Sequence, residues 1–429
     1  MAGSPPARYH SPMKNISTRL FVLFLSIHVG KSAKAEDWPR WRGPRQDGIA
    51  RETGLLKTWP ADGPALLWKK PLSGGFSSVV VVDGKLFTQT KEKNQEMVLC
   101  LDAATGEEQW RYSYDCDYKA YPTFTGGGMP ASRTGPRATP AVDGDQVYAL
   151  GATGILLCLD VKTGKRVWQQ DLLKIAGRNC PSHGFCACPL VVGESIFVQT
   201  GGANGKSIAA LNKKDGRAVW QALDDPIGQA TPLWADVGGS AQVIFFTGTA
   251  AVGVTPQEGK LLWRYPWKTR FDLNIATPIY ADGKVFISSN YGSGAALLRL
   301  TDGSEPEKLW KSQAMQNHIA TSVLHEGNLY GFSDVRLRCV DFATGNVKWD
   351  KPGLGKGTLL IADGRLIVLG DHGQLVLAKA TPEAYTEISR FQVFDKDTLT
   401  WTVPVLSGGR LFVRSQYGLL ALDLSEKTK

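Results

Sequence analysis

Acidic residues are missing from the first 35 positions, which carry Arg8, Lys14, Arg19, Lys31 and Lys34. Long apolar runs are scarce as well. The run Leu20–Val29, interrupted by Ser26 and His28, is only ten residues long, and a bilayer core needs roughly 20. No other stretch is long or apolar enough to span, so a transmembrane anchor is excluded. A cationic stretch from Met13 to Arg19, this run, and Ala33-Lys34-Ala35 have instead the order of a cleavable export leader. Cleavage is expected before Glu36, with Met13 as functional start and residues 1–12 as an upstream extension. No Cys follows the run, which speaks against a lipid-anchored mature terminus. Charge is sparse, at 21% of residues. Of 49 Lys+Arg, the leader holds five, leaving 44 against 40 Asp+Glu, a net of +4 scattered along the chain. A nucleic-acid binder would concentrate that excess on one face. A Gly-rich phosphate loop, a nucleophile elbow and a metalloprotease helix motif are also missing.

The chain does hold a large apolar fraction, 43% of 429 residues, with 47 Gly and 23 Pro in no collagen-like period. That composition points to many short strands and tight turns. Self-comparison then finds a repeat. Leu101 to Thr105-Gly106 and Trp110, Leu159 to Gly164 and Trp168, and Leu211 to Gly216 and Trp220 share one spacing. Val254 to Gly259 and Trp263, and Val340 to Gly345 and Trp349, continue it. Leu300 to Trp310 is a copy with one extra residue. A second marker precedes each copy, as in Asp83-Gly84, Asp282-Gly283 and Asp363-Gly364. Asp-Gly between alternating apolar runs reads as a hairpin turn. The unit is therefore four antiparallel strands with Trp on the last, and a Trp at one fixed place in nearly every unit is expected to pack between neighbours.

Units of this kind predict an all-β fold, an eight-bladed β-propeller of four-stranded antiparallel blades. The eighth unit, Trp401–Asp423, stops after its third strand, and Ala65–Lys69 supplies a Trp-bearing fourth. Pairing the N- and C-terminal segments thus closes the ring. The seventh unit lacks its Trp, and Phe391 is the residue expected to replace it. The organisation expected is a leader over 1–35, a segment leading into the propeller over 36–64, the propeller over 65–424, and a tail over 425–429.

The [LV]-x-x-x-[TDE]-G-x-x-x-W units resemble the PQQ-binding-like propeller repeat of quinoprotein alcohol dehydrogenases and BamB-like envelope propellers. The opening Asp37-Trp38-Pro39-Arg40-Trp41-Arg42-Gly43-Pro44 is similar to the start of exported single-propeller members. The resemblance covers 37 to about 424 and implies fold more strongly than function. It departs from the dehydrogenases in having no Cys-Cys pair, only Cys186-Ala187-Cys188, and from BamB in lacking an acylated Cys.

Ligands of propellers gather where the innermost strands begin. Arg137, His183, Cys186 and Gln229 precede such starts, and so do Asn274, His318, Lys356 and Trp401. Together they predict a polar funnel suited to a planar polyanion, a quinone carboxylate or a sugar acid. Asp272, beside Arg270 and Asn274, is the first carboxylate to consider as a base or cation ligand. Two insertions flank the same rim: 111–136, with Tyr118, Tyr121, Phe124 and Gly126-Gly127-Gly128, and 169–184, ending in Cys180-Pro181-Ser182-His183-Gly184. They are candidates for a lid. Cys100, Cys158 and Cys339 occupy one repeat position and read as buried apolar residues. Cys116, Cys180, Cys186 and Cys188 belong to the rim, as disulfides, as free thiols, or, with His183, as a metal set.

Two functions compete at this level. One is an exported, periplasmic or secreted scaffold that engages a small ligand or an envelope protein through the funnel face, with rim aromatics also suiting a polysaccharide. The other, implied by the resemblance, is a dehydrogenase oxidising an alcohol or sugar with PQQ and Ca²⁺ in the channel.

Overall fold

The computed structural model describes residues 1–4, 36–118, 135–301 and 304–426. The expected leader, residues 5–35, lies outside them, as do Tyr121, Phe124 and Gly126–Gly128 of the first insertion. The chain divides into Met1–Ser32 and Ala33–Lys429, and the architecture that follows belongs to the second unit. No helix among the described residues is long and apolar enough to cross a membrane.

Eight antiparallel sheets form the eight blades of a β-propeller. Their innermost strands are Val80–Val82, Ala141–Asp143, Leu190–Val192, Leu233–Val237, Ile279–Ala281, Val323–His325, Thr358–Ala362 and Val405–Ser407, numbered here as blades one to eight. The hairpins between first and second strands follow their turn residues. Asp83 and Gly84 both take positive φ, +48° and +70°, as a type I′ turn requires. In blade two the pairing Asp143↔Gln146 instead makes Gly144 the first central residue, at φ +57°, the place a type II′ turn reserves for glycine. Blade eight is composite: Ala65–Pro71 pairs antiparallel with Gly418–Asp423 at the other end of the chain, so the ring closes as expected.

The repeated Trp and Gly form the joint between blades. Each Trp follows a bulge in its outer strand, as where the register shifts between Cys100 and Leu101. Its ring lies over the hairpin Gly of the next blade: Trp68 on Gly106, Trp110 on Gly164, Trp168 on Gly216, Trp220 on Gly259 and Trp310 on Gly345. The indole N–H then donates to a carbonyl of that blade, as from Trp110 Nε1 to Val161 O at 2.9 Å. A side chain on the Gly would occupy the volume of the ring, which explains the strict pairing of the two residues. Blade seven confirms the logic. Ser389 holds the register position of Trp, but Phe391 covers Gly63, in the turn before the fourth strand of composite blade eight, and meets Trp59 edge-on at 6.0 Å.

At the hub, threonines tie the starts of adjacent inner strands. Thr139 Oγ1 accepts from Ser78 N, Thr231 Oγ1 from Cys188 N, and Thr321 Oγ1 from Thr277 N, at 2.9–3.1 Å. Cys188 stands where another blade has Thr, and its Sγ accepts from Thr139 N at 3.1 Å.

The segment expected only to lead into the propeller does more. Residues 36–53 run through the hub as a strap that touches all eight blades. Trp38 bridges Val81 of blade one, Pro39 O accepts from Val142 N of blade two, and Arg40 donates to Val191 O of blade three. Gln46 donates to Pro232 O at blade four, Trp41 to Thr277 at blade five, and Arg42 to Ser322 O at blade six. Ile49–Ala50 adds a parallel fifth strand to blade seven, and Glu52 receives the Gly408 and Gly409 amides of blade eight. The motif Asp-Trp-Pro-Arg-Trp-Arg-Gly-Pro is thus a hub filler whose polar groups meet the free edges of inner strands.

Candidate functional site

One end of the hub opens into a cavity of about 250 Å³. Its wall is built from residues at the starts of inner strands, because there the eight chains converge before pairing. Phe76, Arg137, Gln229, Leu273, His318 and Trp401 come from blades one, two, four, five, six and eight. His183, Cys186 and Cys188 come from blade three, and the strap contributes Trp41. Only blade seven sends nothing.

Most predicted site residues therefore gather: Arg137, His183, Cys186, Gln229, His318 and Trp401 line one cavity. Two do not. Lys356 does not line it and pairs with Asp334 at 3.6 Å. Asn274 is fully buried, its amide donating to Thr247 O and Trp267 O and accepting from Ser289 Oγ at 2.7 Å. It is a rivet between blades four and five. Asp272 also stays out of the lining; it sits at φ +55° at the end of the short helix Arg270–Asp272, with its Cβ beside Gly248.

Aromatic rings dominate the wall. Trp401 and Phe76 lie 5.3 Å apart at 30°, while Tyr291 and His318 meet nearly edge-on at 5.3 Å. Sequence reasoning missed Trp41, Phe76 and Tyr291, whereas Tyr118 was expected in a rim insertion and does line the cavity. Trp41 was visible in the opening motif, but nothing in its spacing assigns it to the far side of the ring. Arg137 has a positioning role: it donates to His183 O at 2.5 Å and to the Tyr118 hydroxyl at 3.2 Å, holding both insertions to the rim. Tyr118 in turn donates to Ser182 O. The second insertion carries the helix Leu172–Ala176, capped by Asp171 at its start and Gly177 at its end.

Arg137 is the one charged side chain among the described lining residues. Burial, with the Lys356 cation adding to it, pushes the His318 imidazole down to about 4, and its Nε2 pairs with Tyr291 Oη at 2.9 Å. Burial and the Arg137 cation also lower His183. Burial raises the Cys186 thiol, against the opposing pull of Arg137. Both imidazoles are thus neutral and the thiol protonated at pH 7. Gln229 is 7% exposed, and its buried side-chain oxygen has no hydrogen-bond partner among the described residues. That is a polar group prepared for a visitor.

Of the three alternatives open for the rim cysteines, the structure has the free thiols. All seven are free, so the structure contains no bridge among Cys116, Cys180, Cys186 and Cys188. Nor do Cys180, His183, Cys186 and Cys188 converge: Cys180 Sγ donates to Ala152 O and Cys186 Sγ to His183 O, while Cys188 is used between blades. Among the described residues no three His, Cys, Asp or Glu side chains stand close enough to share a metal ion. A quinone–calcium pair does not fit this lining either. Calcium takes several hard oxygen ligands, carboxylates above all, and among the described residues no Asp or Glu faces the cavity.

Comparison with known proteins agrees with the architecture. A family model described as outer membrane protein assembly factor BamB matches residues 49–179 and 96–351. The Yersinia pestis protein of that name is 23% identical over 66% of this chain and 72% of its own length. Among solved structures, BamB from Moraxella catarrhalis superposes with a TM-score of 0.58 at 16% identity, over 84% of this chain and 99% of its own. Quinohemoprotein alcohol dehydrogenase from Comamonas testosteroni gives 0.65 at 14% identity, over 93% and 82%; at such identities the likeness is one of fold. With more than half its length matched, the chain belongs to the BamB family of PQQ-like β-propellers.

Proposed function

We propose that this protein is an exported cell-envelope scaffold that binds a partner through the cavity face of its propeller. The observation that carries this reading is the lining itself: aromatic walls, the unpartnered buried oxygen of Gln229 and, among the described residues, no carboxylate. A calcium-assisted oxidation calls for carboxylate ligands, and the one charged side chain among the described lining residues is the Arg137 cation. Such a cavity is built to hold an apolar or aromatic group with a hydrogen-bonding edge. The names of the relatives supply the setting, outer-membrane protein assembly. The leader supplies the route there.

A photo-crosslinking residue at Tyr291, an exposed aromatic of the wall, tests the reading in the periplasm. Expected are adducts with outer-membrane assembly components, lost in Gln229→Leu/Trp401→Ala at an unchanged melting temperature. Stoichiometric PQQ binding in the presence of Ca²⁺, with dye reduction by an alcohol panel and no adducts, overturns it in favour of the dehydrogenase.

A further inference from the structure

Glu52 is a carboxylate without a counter-charge. It is 4% exposed, at the end of the strap, and takes part in no ion pair among the described residues. Gly408 N donates to its Oε1 and Gly409 N to its Oε2, both at 2.7 Å, so both oxygens are held by the closing hairpin of blade eight. Burying an anion on backbone amides alone is costly unless a cation is near. Among the described residues the only other donor is the main-chain nitrogen of Glu36, 3.3 Å from Oε1.

That nitrogen is held in place from several sides. The Glu36 carboxylate takes two bonds from the Arg45 guanidinium, at 2.5 and 3.0 Å, and one from Arg51 N at 3.1 Å. The Glu36 carbonyl accepts from Ser407 Oγ at 2.8 Å. Residue 36 is also where the mature chain is expected to begin.

We propose that leader removal at the Ala35–Glu36 bond completes the hub, because the amino group it frees becomes the counter-cation of Glu52. Hydrolysis breaks the Ala35 C–N bond; water gives its hydroxyl to the Ala35 carbonyl carbon and a proton to the Glu36 nitrogen. The amine takes a further proton from solvent at neutral pH. A single amide donor thereby becomes an ammonium with three, and the contact becomes charge-assisted. The strap is then latched to the one blade that both chain ends share, so export and the final closure of the ring are a single event. This rests on the export reading given above.

Three forms of the chain test it: the periplasmically processed protein, the same chain with one Gly placed before Glu36, and the processed protein acetylated at its α-amine. Intact mass first assigns the mature terminus. Amide exchange at Gly408 and Gly409 is expected to be about tenfold slower in the processed form, with a melting temperature about 2 °C higher. A paired ammonium has a raised folded pKa, so the advantage is complete below the free amine's value of about 8 and is lost as pH rises through the folded one. Glu52→Gln is expected to abolish the difference between forms. A mature terminus at any other residue, or three forms that exchange alike, overturns the latch. Should Glu52→Gln not fold, the acetylated and Gly-extended forms still decide it. Tyr291 adducts persisting while the three forms exchange alike would sink the latch and leave the scaffold reading standing.

Discussion

His318 faces the cavity as a neutral ring because burial and Lys356 both oppose its charge. Its folded pKa, about 4, lies below the ordinary value of 6.5. The unfolded chain therefore binds the extra proton first, so the stability this residue permits is complete above about pH 6.5 and falls as pH drops toward 4. The loss is expected to reach about 2–3 kcal/mol. Urea midpoints between pH 4 and 7, with His318→Asn as reference, should show the variant losing less on acidification; an identical slope in both removes the assignment. At this scale the sequence was partly legible. Chemistry-bearing residues just before inner strands could be picked out by alignment of the repeats, and most of them do meet. Asn274 and Lys356 could not be told apart from them, because whether a rim side chain turns inward is decided by neighbours such as Thr247 and Asp334. Phe391 was recognised as the stand-in for Trp, but its offset from Ser389 needed the register of the strand.

At the scale of the element, the Trp–Gly joint makes a direct prediction. A Cβ on Gly106 would stand 2.6 Å from the Trp68 ring, on a backbone at φ +73°. Gly106→Ala is expected to cost about 2–4 kcal/mol, from overpacking together with the unfavourable φ, and Gly84→Ala, with φ +70° but open space, only about 1 kcal/mol. Chemical denaturation of the two variants side by side measures the packing part; equal losses would mean that the ring does not depend on the glycine. These units were readable in advance because hairpin turns and a nine-residue Leu-to-Trp spacing are local features. The strap was not. Its partners are hundreds of residues away, as with Arg42 and Ser322 at a separation of 280, and no periodicity marks a segment that fits a hub once only.

For the whole molecule, stability is shared around a circle that includes both ends of the chain. One apolar cluster runs from Val79 and Leu101 of blade one through Leu377 of blade seven to Leu422 of blade eight. Truncation after Arg414 deletes Gly418–Asp423 and leaves Ala65–Pro71 without its partner. Such a chain presents unpaired strand edges and is expected to self-associate, with loss of cooperative melting. Light scattering on the truncated and full-length proteins reads this out; a stable truncated monomer would show that the seam is dispensable.

The seam also sets a timetable. Ser407 grips the carbonyl of Glu36 across 371 positions, so the earliest mature residues have no permanent seat until the latest have arrived. A polypeptide crossing a membrane from its amino end must keep Trp38, Trp41 and the first blade waiting, wettable and unassembled, while the remaining hairpins emerge. Contacts so distant in sequence form slowly. The interval between arrival and assembly is therefore the one in which apolar surface of this chain stays open to wrong contacts.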